Sequence, residues 1–259
     1  MGEDTPIQSV RAVDSHCHIS DSRFDSDREA VVEDCWRRKI LLVDSALTKP
    51  HLAKSLVLTQ KYEHVKLTVG WEPANLNRRE ALEFRDLVFE CSDKVLAVGE
   101  VGLDRFLLRD REEWSRQEQI LGIFMEAADK LGKPLVVHSR SAGKACIELL
   151  LSAGFSSVLM HAYDGSSHHA VEAAKKGFLF SVPPSVVRSE QKLKLVKRLG
   201  LSSLILESDA PVLAPVRGER NVPQNVFVSA QKIAELKGVS VEEVLRQTTA
   251  TALRFYRLL

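Results

Sequence analysis

Short apolar runs recur along the chain, each followed by a stretch in which apolar residues return at helical spacing. The runs begin at Val13, Ile40, Val65, Val95, Leu135, Val158, Phe178 and Ser203, and most are three to six residues long. They are too short for helices and are bounded by polar, Gly or Pro residues, so they read as buried strands. Between them, Asp25 to Lys39 carries Ala30, Val31, Cys35 and Trp36 on one helical face. Further helices are predicted from Pro50 to Tyr62, Arg78 to Glu90, Glu112 to Leu131, Ala145 to Leu151, His169 to Lys175 and Ser189 to Leu199. After the last strand, Asn225 to Lys237 and a stretch from Val241 read as two helices divided by Gly238. Pro183-Pro184 predicts an irregular loop.

Strands that alternate with helices make parallel βαβ units, and eight of them match a TIM (β/α)8 barrel. No G-x-G-x-x-G or P-loop follows the first strand, which weakens the open doubly wound alternative. No linker-like tract interrupts the rhythm, so residues 1–259 are expected to form one domain. A net charge of +1 gives no global electrostatic case for a nucleic-acid or membrane-surface partner, though a basic rim around a cleft stays open. Cys17, Cys35, Cys91 and Cys146 are scattered without a CxxC pair, which fits reduced, mostly buried thiols. The amino-terminal residues lack a signal-peptide core, and no apolar run reaches the roughly 18 residues a membrane span requires. The expected location is cytoplasmic, with nuclear access if the source is eukaryotic.

The candidate chemistry lies where strands end, the face on which barrels of this kind carry their sites. His16 and His18 end the first strand on one side of it, with Cys17 turned to the other side for packing. Glu100 stands at the end of strand four, His138 of strand five and His161 of strand six, and Asp209 follows strand eight. Four imidazoles and two carboxylates on one rim exceed a one-ion catalytic zinc site and suit two divalent ions sharing a carboxylate. Glu100, from the middle of the strand order, is the natural bridge, and Asp209 can both bind an ion and accept a proton from water. Mixed nitrogen and oxygen donors favour Zn, Mn, Fe or Co over a magnesium-only site. Metals bring water's pKa near neutrality, so the reaction class is hydrolysis. His51 and His64 at helix ends, with His168 and His169 in a polar loop or first turn, read as solvated surface residues.

Several segments together resemble the TatD family of metal-dependent deoxyribonucleases, within the amidohydrolase-like barrels. They are Asp14-Ser15-His16-Cys17-His18, Val98-Gly99-Glu100-Val101-Gly102-Leu103-Asp104, His138-Ser139-Arg140, His161-Ala162-Tyr163-Asp164-Gly165, Leu206-Glu207-Ser208-Asp209-Ala210-Pro211 and Arg220-Asn221-Val222-Pro223. The likeness runs from about Val13 to Tyr256. Ser139 to Gly143 and Val182 to Ser189 look most like the TatD DNase domain-containing protein 3 subgroup. The resemblance implies that His16, His18, Glu100 and Asp209 hold one ion and that Glu100, His138 and His161 hold the other, the metals being Zn, Mn or Mg. It also implies phosphodiester hydrolysis of DNA, as an exonuclease on single strands or ends; a monomer with no membrane partner is expected.

Three positions depart from the family. Gly70-Trp71-Glu72-Pro73 stands where many members have Gly-x-His-Pro, Arg105 replaces an aromatic after Gly-Leu-Asp, and a common Asn is missing from Thr248 to Ala252. Arg140, Arg105 and Arg220, with Arg217 on the loop of Arg220, are candidate phosphate contacts, Arg being suited to bidentate binding. Trp71 is expected to pack rather than to stack a base. Hydrolysis of an amide, lactone, aminoacyl ester or small phosphodiester is the rival activity, and a non-enzymatic metal-binding protein the rival class. Related barrels often bridge their metals with a carboxylated lysine; Glu100 in that place argues for the TatD side.

Overall fold

The computed structural model describes residues 10–259. Eight strands lie parallel in one sheet, in chain order: β1 (Ala12–Cys17), β2 (Ile40–Ala46), β3 (Val65–Val69), β4 (Val95–Gly102), β5 (Leu135–His138), β6 (Val158–Met160), β7 (Leu179–Val182) and β8 (Leu204–Leu206). Helices α1 (Arg28–Arg37), α2 (Lys49–Lys61), α3 (Arg78–Glu90), α4 (Arg111–Leu131), α5 (Gly143–Ser152), α6 (Ser167–Ala174) and α7 (Glu190–Arg198) alternate with the strands. Helices α8 (Val226–Lys237) and α9 (Val241–Phe255) complete the chain. The sheet is a nearly closed TIM barrel. No helix among the described residues is long and apolar enough to cross a membrane.

Two apolar layers hold it. Val13, Leu41, Val43, Ala97, Val136, Leu159 and Ile205 meet inside the barrel. Ala252, Leu253, Phe255 and Tyr256 of α9 join them, while Thr249 Oγ1 donates to the Arg11 carbonyl at the start of β1, 3.1 Å away. The outer faces of the strands pack on the helices in a larger layer that includes Cys17, Leu42, Val98 and Phe180. Each buried Val, Leu, Ile or Phe among them contributes about 1.5–3 kcal/mol by leaving water.

Strict alternation would put Val13 and His16 on opposite faces of β1. A register shift between Asp14 and Cys17 against β2 breaks the count. Val13 therefore packs inside while Cys17 packs in the outer layer, its thiol donating to the Val43 carbonyl. β4 uses the same device, with a shift between Val98 and Val101 against β5. The expected end of β4 at Gly99 is corrected: the strand continues to Gly102, so Glu100 lies inside it. Pairing of Val101 and Gly102 with Val137 and His138 carries it on. A side chain at Gly102 would sit 2.0 Å from the His138 carbonyl oxygen, so only glycine permits that approach.

The helix expected from Asp25 is also corrected. A short 3-10 turn over Ser22–Phe24 precedes α1, because Asp21 caps it through Arg23 N–H. The residues after Pro183 form a 3-10 turn (Pro184–Arg188) rather than irregular chain. Gly238 separates α8 from α9 at φ 66°, the left-handed helix-stop conformation.

Candidate metal centre

Glu100 is the hub of the strand-end cluster. Its Oε2 lies 3.2 Å from His16 Nε2 and 3.5 Å from His18 Nε2. Its Oε1 lies 2.7 Å from His138 Nδ1 and 3.3 Å from His161 Nε2. The two oxygens of one carboxylate thus face two different pairs of imidazoles. Asp209 Oδ1 approaches the first pair, 3.7 Å from His16 Nε2 and 3.4 Å from His18 Nε2. Two sets of three ligand atoms lie within 4.8 Å of one another: His16, Glu100 and His161, and His16, His18 and Asp209.

This donor set fits a divalent cation. His16 Nε2 and His18 Nε2 face each other at 3.2 Å while both also point at carboxylate oxygens. Ligand atoms about 2.0–2.2 Å from a tetrahedral zinc stand roughly 3.3 Å apart, much as these do.

The ring atoms not facing Glu100 are anchored. His18 Nδ1 lies 3.1 Å from the Ser45 carbonyl, which accepts its proton. His138 Nε2 lies 3.0 Å from Asp104 Oδ2, and Asp104 Oδ1 accepts from Phe106 N–H and Leu107 N–H. His161 Nδ1 lies 3.1 Å from Glu207 Oε2, which also accepts from Ser181 Oγ at 2.6 Å. Glu207 Oε1 takes the Ala162 N–H at 2.8 Å. Such partners fix the tautomer and leave the inward nitrogen's lone pair free. His16 is different: its buried Nδ1 has no partner among the described residues.

The backbone is held as tightly. Ala162 (φ 39°) and Asp209 (φ 53°) take up left-handed conformations that cost a non-glycine residue energy. Glu207 holds the Ala162 N–H and the half-buried Lys192 Nζ donates to its carbonyl at 2.9 Å. Asp209 N–H donates to the His16 carbonyl at 2.9 Å, and His18 N–H to the Ala210 carbonyl at 2.7 Å. Asp14 receives Ser208 N–H at 2.7 Å and the Ser208 hydroxyl at 2.5 Å. The loop after β8 is thereby stitched to β1.

Charge is concentrated in this pocket. Burial disfavours protonated His18, but the Asp209 hydrogen bond and the charges of Glu100, Asp209 and Asp44 overcome it and raise its pKa to about 9. Burial opposes His138 likewise, and Asp104 and Glu100 raise it to about 9. For Glu100 burial favours the neutral acid, yet His161, His138 and His16 hold its carboxyl well below the usual range. Burial and His161 push His16 down. Protons on the imidazoles thus supply the positive charge that the carboxylates demand.

The structure brings His16, His18, Glu100, His138, His161 and Asp209 to one place. The candidate phosphate contacts are more dispersed. Arg140 is exposed, with its guanidinium 3.8 Å from the Phe106 ring centroid. Arg105 pairs with Glu118 at 3.0 Å and lies over Trp114. Arg220 is clasped by both oxygens of Asp27 and lies over Phe24. Arg217 is exposed. Trp71 is buried on Phe84 and Phe124, and its indole N–H donates to the Asn75 carbonyl. Glu72 stands at the rim with its side chain open to solvent but its carboxyl partly shielded by the pocket; that shielding and the Glu100 charge raise its pKa, against His138 and His18.

One expectation fails outright: His64 is buried, 5% exposed, with Nε2 3.0 Å from the Val32 carbonyl and its ring stacked on Trp36. His51 and His169 are half-buried and His168 is exposed. Sequence reasoning gave no role to Asp104, Glu207, Asp14, Asp44 or Lys192. A signal existed for four of these, since a carboxylate inside or just beyond an apolar strand needs a partner when buried. Lys192 sits in an ordinary amphipathic helix and had none.

Comparison with known proteins bears on this cluster. A model of the family described as TatD related DNase matches residues 13–257. The chain is 39% identical over 261 residues to "Deoxyribonuclease TATDN3" of Homo sapiens, covering 95% of each chain. It is 32% identical over 253 residues to the "Uncharacterized metal-dependent hydrolase MJ1582" of Methanocaldococcus jannaschii, covering 97% of this chain and 99% of that one. The fold superimposes on the crystal structure of a TatD family hydrolase from Entamoeba histolytica with a TM-score of 0.85 at 18% identity, over 96% of this chain and 98% of that chain.

Proposed function

The chain belongs to the TatD-related DNase family, and from that premise we propose that it is a divalent-metal-dependent deoxyribonuclease that hydrolyses phosphodiester bonds. The observation that carries this reading is the placement of Glu100, whose two oxygens face separate histidine pairs. His16, His18, Glu100 and Asp209 would hold one ion, and Glu100, His138 and His161 would hold the second. Bound there, two divalent ions would lower the pKa of water and neutralise charge building on the phosphoryl oxygens. The protein's share is positioning. Ser45, Asp104 and Glu207 keep three imidazoles in the tautomer that turns a lone pair inward. Asp209, on its strained backbone, accepts the proton of the attacking water.

Arg140, without a carboxylate partner among the described residues, binds phosphate directly. Arg105 and Arg220 contribute only by exchanging Glu118 and Asp27 for phosphate. The proposal has the chain act as a monomer and a single domain in the cytoplasm, on single strands or DNA ends, with Zn, Mn or Mg.

The test strips the protein with a chelator, adds back Zn, Mn or Mg separately, and follows end-labelled single-stranded DNA. Release of terminal label with at least one metal and none without is expected. An intact strand under every metal refutes it.

A further inference from the structure

At the rim beside His138 two loops present an aromatic ring and a cation together. Phe106, on the loop after β4, is 46% exposed, a large apolar side chain left facing water. The guanidinium of Arg140, on the loop after β5, covers its ring at 3.8 Å from the centroid. That contact is close for a cation over an aromatic face, and stacked guanidinium planes are themselves surfaces on which bases stack.

The pair is tied to the metal centre by short links. Phe106 N–H and Leu107 N–H donate to Asp104 Oδ1, whose other oxygen meets His138 Nε2. Arg105 N–H donates to the Arg140 carbonyl at 2.9 Å, joining the two loops directly. Arg140 also follows His138 by two residues. The pair therefore stands on the two loops that hold His138 and its partner Asp104.

Two of the other candidate phosphate contacts lack this freedom. Arg105 and Arg220 are neutralised by Glu118 and Asp27, whereas Arg140 meets no carboxylate among the described residues. A flat apolar ring beside an uncompensated positive charge complements an unpaired nucleobase and its own phosphate. A base stacked on both sides inside a duplex cannot offer a face to the pair.

We propose that Phe106 and Arg140 form a stacking platform for the unpaired base next to the scissile phosphodiester, so that the site selects single-stranded or frayed DNA. The platform rests on the deoxyribonuclease reading, and its test separates the two. A phosphorothioate strand resistant to cleavage carries one 2-aminopurine, moved base by base along it. Wild-type protein is expected to quench the fluorophore at one position. Phe106→Leu, which keeps an apolar side chain under Arg140, is expected to lose that quenching, and Phe106→Tyr to restore it.

With a cleavable single strand, the KM of Phe106→Leu rises about tenfold, in keeping with the stacking contribution of one base, and Phe106→Tyr returns it toward wild type. Equal quenching and equal KM in wild type and Phe106→Leu overturn the platform, as does a wild type that quenches at no position. A wild type that quenches the resistant strand but cleaves no DNA under any metal leaves the platform standing and removes the deoxyribonuclease reading.

Discussion

Glu207→Gln removes one charge and almost no volume, yet neither orientation of the new amide satisfies its surroundings. Glu207 is 0% exposed and acts as acceptor for three donors: His161 Nδ1–H, the Ser181 hydroxyl and the Ala162 N–H. If the amide NH2 takes the place of Oε2, it meets His161 Nδ1 as a donor. The imidazole then moves its proton to Nε2, the atom that points at Glu100, and its inward lone pair is lost. If the NH2 takes the place of Oε1, two donors confront each other at Ala162, in a backbone already strained at φ 39°. A buried donor without an acceptor costs about 1–3 kcal/mol. Loss of a carboxylate behind a metal-bound imidazole costs roughly 10–100-fold in affinity.

Glu207→Gln is therefore expected to fold, to melt several degrees lower, and to bind metal at His161 about 10–100-fold less tightly. Competition against a chromophoric chelator measures that affinity, and strand cleavage measured alongside should fall with it. Wild-type metal affinity in Glu207→Gln would show that Glu207 serves packing and not the tautomer of His161.

Other perturbations follow from the same geometry. Asp209→Asn and Glu100→Gln should each abolish strand cleavage while circular dichroism keeps the wild-type spectrum; unchanged cleavage in either contradicts their roles. In metal-free protein His18 and His138 keep their protons up to about pH 9, so metal binding at pH 7.5 should release protons, and the number released should fall as pH rises through about 9. Calorimetry in buffers of different ionisation enthalpy reads this directly. Because both folded pKa values exceed the unfolded value near 6.5, their stabilisation is complete below pH 6.5. It fades as pH rises to about 9, so the metal-free melting temperature should fall across that window. Gly70→Ala would place a Cβ 2.1 Å from the Glu100 carbonyl oxygen. It should lower stability by about 1–3 kcal/mol and weaken metal binding with it, and wild-type melting would refute the contact.

Much of this was legible from residue order because the barrel repeats one simple rule. Short β-rich runs followed by helical periodicity located all eight strands, and ligand-type side chains at their ends located the centre. What escaped has physical causes. The register shifts in β1 and β4 come from local backbone geometry that no side-chain pattern encodes, so Glu100 looked terminal when it is internal. His64 looked like a helix-end residue on the surface because its cover, Trp36, comes from another helix. The roles of Glu207 and Asp104 depend on reach across neighbouring strands. Arg105 and Arg220 looked available because their acidic partners, Glu118 and Asp27, lie 13 and 193 residues away in the chain.

The bonds between β1 and the loop after β8 set a condition on when chemistry can begin. Asp14 and Ser208, which lock that seam, are 194 residues apart, and Asp209 and His18 meet across it. A chain emerging from the ribosome with seven strands made has His16 and His18 in place but no Asp209 to complete the cluster. Hydrolytic power is thus withheld until almost the last residues of the barrel have been synthesised and docked. An enzyme of nucleic acids assembled this way stays harmless during its own manufacture, and fragments cut before residue 209 should be inert.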